Sequence, residues 1–539
     1  MAEVCEEARQ GRMLSLPERI FQRPDLALVA TGSLSCIRSL YQEAVRLDKT
    51  HQFFPCIQPA QAYAAGMQGK ALVQTLHRVL SVPGVGGIIL YASCADVLSK
   101  TDFPGIIAGL DNPASVPIHV LLRGPMVNRY ARPREALEKI LAETPLSGGE
   151  IPRKKWSFPP PRPDFYYVSS ALQYMNAMPV LLTAGGCGGD PESDSGGLPE
   201  YRLGHTRFND IQASLGAEPI AAACAAAEAQ EQGRPGSTVC LLGSAVPTFL
   251  GMDRERIARE VATKGWEVRN LGCDGFTPGP AGLAQALETM LQYQTAGAPQ
   301  PGRVDILGYC GAVLGDAEKL AHGMEHLRKC GFQPGFFGQP DRMSGNAQLN
   351  WVVSAAGLPL AERMQRERGI PYVAGIPVGA HQMRQWRQRI NEIMGHAEVL
   401  PPEAPAEQPL LPGKRALLVG EPLLTACIGD YLRQSLGCKE VLLGVYAPVV
   451  SLQQFYRRVC PDLPLCFFAH PEEFRALSRD ADWILADPEF DLGEHPMTYL
   501  PDPQVSGARY QQIPYSIFGK KGAAWIAENI KAIFKGETT

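Results

Sequence analysis

Two stretches near the start of the chain decide how it is read: LALVATGSLSC, residues 26–36, and GIILYASCADVL, residues 87–98. Each is a continuous apolar run of strand length that stops at small residues and then reaches a cysteine, Cys36 in the first and Cys94 in the second. Runs without alternation read as strands buried on both faces of a parallel sheet. Similar runs recur as PIHVLL, PVLLTA, TVCLLGS, VDILGY, RALLVG, EVLLGVY and DWILAD, with helical segments such as AGLAQALETMLQYQ between them. The expected fold class is α/β, with parallel sheets flanked by helices. In such sheets ligands bind beyond the carboxyl ends of the strands, where Cys36 and Cys94 fall.

Proline and glycine punctuate this pattern. PLSGGEIPRKKWSFPPPRPD (145–164) and LPPEAPAEQPLLPG (400–413) cannot be regular helix or central strand, and TAGAPQPGR (295–303) is a softer break. The expected division is 1–150, an α/β domain with Cys36 and Cys94; 160–300, a repeat of it with Cys187; 301–400, a Rossmann-like middle domain; and 412–539, a Rossmann-like C-terminal domain.

At 539 residues the chain is too long for one core, and a net charge of −4 gives no electrostatic footprint for nucleic acid or an anionic membrane. The charged start MAEVCEEARQGRML has no secretory apolar run and no stretch has the length of a spanning helix, so a cytoplasmic protein is expected. Among 14 cysteines there is no CxxC pair, which excludes zinc ribbons and thioredoxin-type centres. There is no P-loop and no GxSxG elbow. GYCGAVLG (308–315) departs from the dinucleotide-loop spacing and reads as a tight turn, and His322 and His326 share a helix face that reads as solvated.

An internal repeat is visible. The step from Cys36 to Cys94 is 58 residues (94 − 36), and so is the step from Cys187, at the end of PVLLTAGGC, to Ala245 in GSAVPTFLGMD (245 − 187). Each pair consists of two strand ends separated by a helix and a further strand, so the first α/β unit is read as duplicated, with Ala245 where a second cysteine would stand.

GSLSC (Gly32–Cys36), YASCADVLSKTDF (Tyr91–Phe103), AGGC (Ala184–Cys187) and GSAVPTFLGMD (Gly243–Asp253) together resemble the strand-end pattern of the nitrogenase component 1 family, which includes light-independent protochlorophyllide reductase subunits and nickel-cofactor reductases. VDILGYCGAVLGDAEKL and GIPYVAGIPVGA resemble its middle domain, and GKRALLVGEPLLTACIGDYLRQSLGCKEVLL with DADWILADPEF and IPYSIFGKKGAAWIAENI its last. The resemblance implies a β-type or scaffold-type subunit. The stretches matching the family's active-site cluster ligands, Asn350–Leu360 and Pro514–Gly522, hold neither cysteine nor histidine.

The resemblance further implies an iron–sulfur redox subunit of a two-component reductase. Cys36, Cys94 and Cys187 would hold one [4Fe–4S] cluster, with the fourth ligand from Cys5, Cys56, Asp190 or another chain. Its implied partners are a P-loop iron–sulfur ATPase that supplies electrons and a second component 1-like subunit; no nucleic-acid or membrane partner is expected. Two other readings stay open: a non-catalytic scaffold on which a metal cluster is assembled, and a cluster-free descendant that binds a small molecule. Taken singly, Cys36 and Cys94 also read as buried structural thiols, and the glycine-flanked Cys187 loop as an anion-binding turn.

Overall fold

The computed structural model describes residues 14–124, 127, 131–184, 204–208, 222–223, 225–227, 229–230, 238–314, 317–395, 409–502, 504–505 and 517–534. The chain divides into two compact units, Met1–Pro160 and Pro161–Thr539, and the division falls inside the proline-rich stretch 145–164. That stretch has neither strand nor helix before Asp164, yet Ile151 and Phe158 within it are buried. It is packed irregular chain and not a loose tether.

The first unit is built on β1 (Leu26–Gly32), β2 (Phe53–Ile57), β3 (Gly87–Ala92) and β4 (Ile118–Leu122), all parallel in the order β2-β1-β3-β4. The continuous apolar runs follow from the period of two. Leu26, Leu28 and Ala30 of β1 with Ile89 and Tyr91 of β3 face one cluster, together with Ile37 and Tyr41 of the helix Leu34–Arg46. Ala27 and Val29 with Ile88 and Leu90 face the other, against Leu72, Leu76 and Val79 of the helix Gln68–Leu80. A central strand covered on both faces is apolar along most of its length, and Thr31, near the end of β1, is its one polar side chain. Truncating one of these leucines or isoleucines to alanine is expected to cost about 2–5 kcal/mol.

The second unit carries three sheets. β5 (Ala177–Ala184), β6 (Gly204–Phe208), β7 (Thr238–Gly243) and β8 (Val268–Asn270) run in the order β6-β5-β7-β8, the order of the first unit. β9 (Thr295–Leu307), β10 (Gln333–Phe336), β11 (Ser344–Val352) and β12 (Tyr372–Ala374) repeat that order again as β10-β9-β11-β12. β13 (Arg415–Val419), β14 (Glu440–Tyr446), β15 (Leu465–Phe468), β16 (Trp483–Ala486) and β17 (Met497–Tyr499) run β15-β14-β13-β16-β17. The last two sheets share one hydrophobic cluster that includes Trp351, Trp386, Leu418, Trp483 and Phe518.

The first three strands of the first and second sheets keep one offset, 151 residues (238 − 87). β2 starts at Phe53 and β6 at Gly204; β3 starts at Gly87 and β7 at Thr238. The short helices after them start at Cys94 and Ala245. At the same offset Asp102 and Asp253 each cap the next helix, accepting from the backbone N–H of Gly105 and Arg256. The fourth strands depart from it by one residue, β4 starting at Ile118 and β8 at Val268 (268 − 118 = 150), so the two sheets share strand order and most of their spacing.

The break expected at 295–303 is different in the structure. TAGAPQPGR is the exposed first part of β9, paired with β11 from Thr295↔Ser344 onward through two register irregularities. Its polar and proline residues are tolerated because this part of the strand is exposed, and only Arg303 onward enters the covered sheet. The expected boundary at residue 300 therefore lies within a strand.

Candidate functional site

In the order β2-β1-β3-β4 the chain leaves β1 for β2 on one side and returns to β3 on the other, so the crevice of the sheet opens between the carboxyl ends of β1 and β3. Cys36 lies in the first turn of the helix after β1, and Cys94 is the first residue of the helix after β3. Cys94 is 2% exposed, whereas Cys36 is partly exposed.

The two turns meet over Gly32, whose φ is +149°. A Cβ placed there would lie 2.8 Å from Ser93 Cβ and Oγ and 3.6 Å from Cys36 Cβ. Only a residue without a side chain lets the two cysteine-bearing turns approach so closely. Gly124, just past β4, closes the other side. Its φ is +145°, and a Cβ there would lie 2.2 Å from Cys94 Sγ.

Below the cysteines a buried polar network holds the second turn. Ser93 caps its helix, and its backbone N–H and hydroxyl both donate to Asp96 Oδ2, at 2.9 and 2.7 Å. Tyr63 donates from its hydroxyl to Asp96 Oδ1 at 2.9 Å. Burial pushes the Asp96 carboxyl above the usual carboxylate range even though Ser93 and Tyr63 favour its charged form. Burial also pushes the Tyr91 hydroxyl up; Cys36 and Cys94 add to that and Arg123, 5.9 Å from the Tyr91 ring centre, opposes it.

Of the residues singled out from sequence, Cys36 and Cys94 are brought to one crevice. Cys56 is not exposed at a strand end: it packs in the cluster with Leu72 and Leu76, accepts from Gln58 Nε2 at 3.5 Å, and burial pushes its thiol up to about 11. Cys5, Cys187 and Asp190 lie outside the described residues. Among the described residues no group of three or more histidine, cysteine, aspartate or glutamate side chains is arranged to hold a metal ion. His326 packs 6.1 Å from the Trp386 ring, and Gly308 forms a tight turn in which the Ser354 hydroxyl donates to its carbonyl at 2.6 Å. Asp96, Tyr63, Arg123 and Gly124 escaped the sequence reading, although Ser93-Cys94-Ala95-Asp96 has the spacing of a capping box.

The donor set suits a thiolate-held group in part. It offers two sulfurs on neighbouring turns, one of them in the first turn of a thirteen-residue helix whose N–H groups favour a bound anion. The matching positions of the second sheet carry different chemistry, and Ser244, unlike Ser93, makes no cap hydrogen bond. Ser244 and Ala245 take the places of Ser93 and Cys94, and Gly275, at the position of Gly124, would set a Cβ 2.6 Å from the Ala245 nitrogen.

Comparison with known proteins agrees with this architecture. The family described as nitrogenase component 1 type oxidoreductase matches residues 171–459, more than half of the chain and wholly inside the second unit. A solved structure of nitrogenase Cp1 at pH 6.5 is similar at 13% identity with a TM-score of 0.54, covering 70% of this chain and 93% of that one. Nitrogenase Cp1 at pH 5 is also found, at 13% identity and a TM-score of 0.46, covering 70% and 89%. No curated protein matches the sequence. Among the described residues no helix is long and apolar enough to cross a membrane. The parallel sheets, their order and the family match converge on one assignment: the chain belongs to the nitrogenase component 1 type oxidoreductases.

Proposed function

We propose that this protein is the iron–sulfur redox subunit of a nitrogenase-like two-component reductase. Cys36 and Cys94, both in the first unit, are two of its [4Fe–4S] ligands, and a second component 1-like subunit is a source of the others. The observation that carries this reading is the meeting of the two cysteine turns over Gly32 at the switch point of a parallel sheet. A bound iron–sulfur cluster supplies one-electron storage, and the residues around it set how easily that electron is held. Tyr63, Ser93 and Asp96 fix the turn that presents Cys94, while Gly32 and Gly124 keep the space beside the two sulfurs clear of side chains.

Electrons would come from a separate iron–sulfur partner, as in the nitrogenase component 1 family, and any ATP would be hydrolysed there, this chain carrying no P-loop motif. The stretch Asn350–Leu360, without thiol or imidazole, supports a role in passing electrons on to a substrate held elsewhere in the complex. The same feature favours a second reading, an assembly scaffold. Anaerobically purified protein mixed with a P-loop iron–sulfur reductase separates them. ATP-dependent reduction of the chain followed by turnover supports the redox subunit; metal that transfers to an acceptor protein without turnover identifies a scaffold; no ATP-dependent reduction and no transferable metal contradicts both.

A further inference from the structure

A second polar feature lies inside the unit Pro161–Thr539, away from the cysteines. Residues from helices and turns along the whole of this unit line a recess there. Tyr167 and Leu283 come from the helices Asp164–Leu172 and Gly279–Met290, Ser354–Ala356 from the turn after β11, Glu421 and Tyr456 from the C-terminal sheet's helices, and Asp502 and Gln504 from the chain after β17. Its interior admits a water-sized group.

The recess is rich in acceptors. Asp502 and Gln504 are 2% and 3% exposed, and Asp502 Oδ2 and Gln504 Oε1 have no hydrogen-bond donor among the described residues. The other atoms of these side chains are engaged: Asp502 Oδ1 accepts from Gln504 N at 2.9 Å, and Gln504 Nε2 donates to the Tyr446 carbonyl at 3.5 Å. Glu421 adds a carboxyl fixed by the backbone N–H groups of Ala355 and Leu424, at 2.6 and 2.8 Å. Buried acceptors left open in this way call for a donor. No lysine, arginine or histidine is among the residues that line the recess.

We propose that this recess binds a small cation that donates hydrogen bonds, an ammonium ion or the head of a short primary ammonium, between Asp502, Gln504 and Glu421. A hard metal cation demands six or more oxygens at close range, a set these three side chains do not provide. An N–H cation needs only three or four acceptors. Binding is linked to protons. Burial pushes Glu421 and Asp502 up to about 7 each; Asp487 and Glu421 raise Asp502 further, while buried Arg162 opposes. The cation therefore competes with protons for the same oxygens.

Calorimetry on the intact protein tests this with ammonium, methylammonium, potassium and tetramethylammonium chlorides at pH 6 and pH 8. Ammonium and methylammonium are expected to bind, about tenfold more weakly at pH 6 than at pH 8, since one carboxyl titrating near 7 must ionise. Potassium, of similar size but without N–H groups, and tetramethylammonium are expected not to bind. Equal binding of potassium and ammonium overturns the proposal, as does absence of ammonium binding at pH 8. Asp502→Asn and Gln504→Leu, checked for native circular dichroism, are expected to abolish binding; unchanged affinity in both overturns it. The wild-type ion series stands without either variant, and none of these outcomes depends on the iron content of the protein.

Discussion

Replacing Gly124 by alanine probes the packing of Cys94 directly. The new methyl group would stand 2.2 Å from Cys94 Sγ, whereas nonbonded heavy atoms settle near 3.5–4.0 Å. The overlap is more than 1 Å, so Cys94 must leave its rotamer or the turn after β4 must shift. Overpacking of this kind costs about 1–3 kcal/mol. A φ of +145° adds about 1–3 kcal/mol for any residue with a side chain. The two parts separate in a double-mutant cycle with Cys94→Ala. Once the sulfur is gone, the next atoms near the new methyl are Cys94 N and Cβ at 3.6 and 3.7 Å, ordinary contacts. Gly124→Ala should therefore cost roughly 2–6 kcal/mol in the wild type and about 1–3 kcal/mol less in the Cys94→Ala background. Chemical denaturation of the four proteins, followed by circular dichroism, measures the coupling. Strict additivity would mean that Cys94 Sγ does not sit against Gly124, and the account of the crevice would fail with it.

Three further outcomes are expected. Asp96→Ala removes the acceptor for Ser93 and Tyr63 and should cost about 1–2 kcal/mol of stability, with Asp96→Asn recovering part of it, as read by denaturant midpoint. Glu421 and Asp502 titrate near 7 when folded, above their ordinary values, so the stability they contribute is full below about pH 4 and is lost as pH rises toward 7. At 1.36 kcal/mol per unit this is roughly 3 kcal/mol for Glu421 and about 4 kcal/mol for Asp502, and Glu421→Gln should flatten its share of the slope. Asp25 has the opposite sign: burial works against its charge, but Arg23 and Ser147 outweigh it and hold the carboxyl at about 2. Its contribution is full above about pH 4 and vanishes as pH falls through 2, so acid unfolding monitored by fluorescence should lose that component in Asp25→Asn.

The strands were legible because burial on both faces leaves a continuous apolar signature, as in Leu26–Gly32 and Gly87–Ala92, all of whose residues are buried. The duplication expected from the 58-residue step is accompanied by a 151-residue offset at β6, β7 and the caps Asp102 and Asp253, with a one-residue departure at β8. The first part of β9 was hidden because its exposed residues carry no apolar pattern while the backbone still pairs with β11. Gly124 and Asp96 acquire meaning only from what they touch, and nothing local to Gly124 announces a cysteine thirty residues earlier. The recess around Asp502 draws on Tyr167, Glu421 and Gln504, residues whose proximity is a product of tertiary packing with no counterpart in local spacing.

Iron and acid-labile sulfide content after strictly anaerobic purification tests the central claim most directly, comparing wild type with Cys36→Ala and Cys94→Ala. The account predicts about four irons per cluster in the wild type and loss of most of them in each variant, with the fold retained by circular dichroism. Negligible iron in the wild type, equal to that in Cys94→Ala, would contradict it.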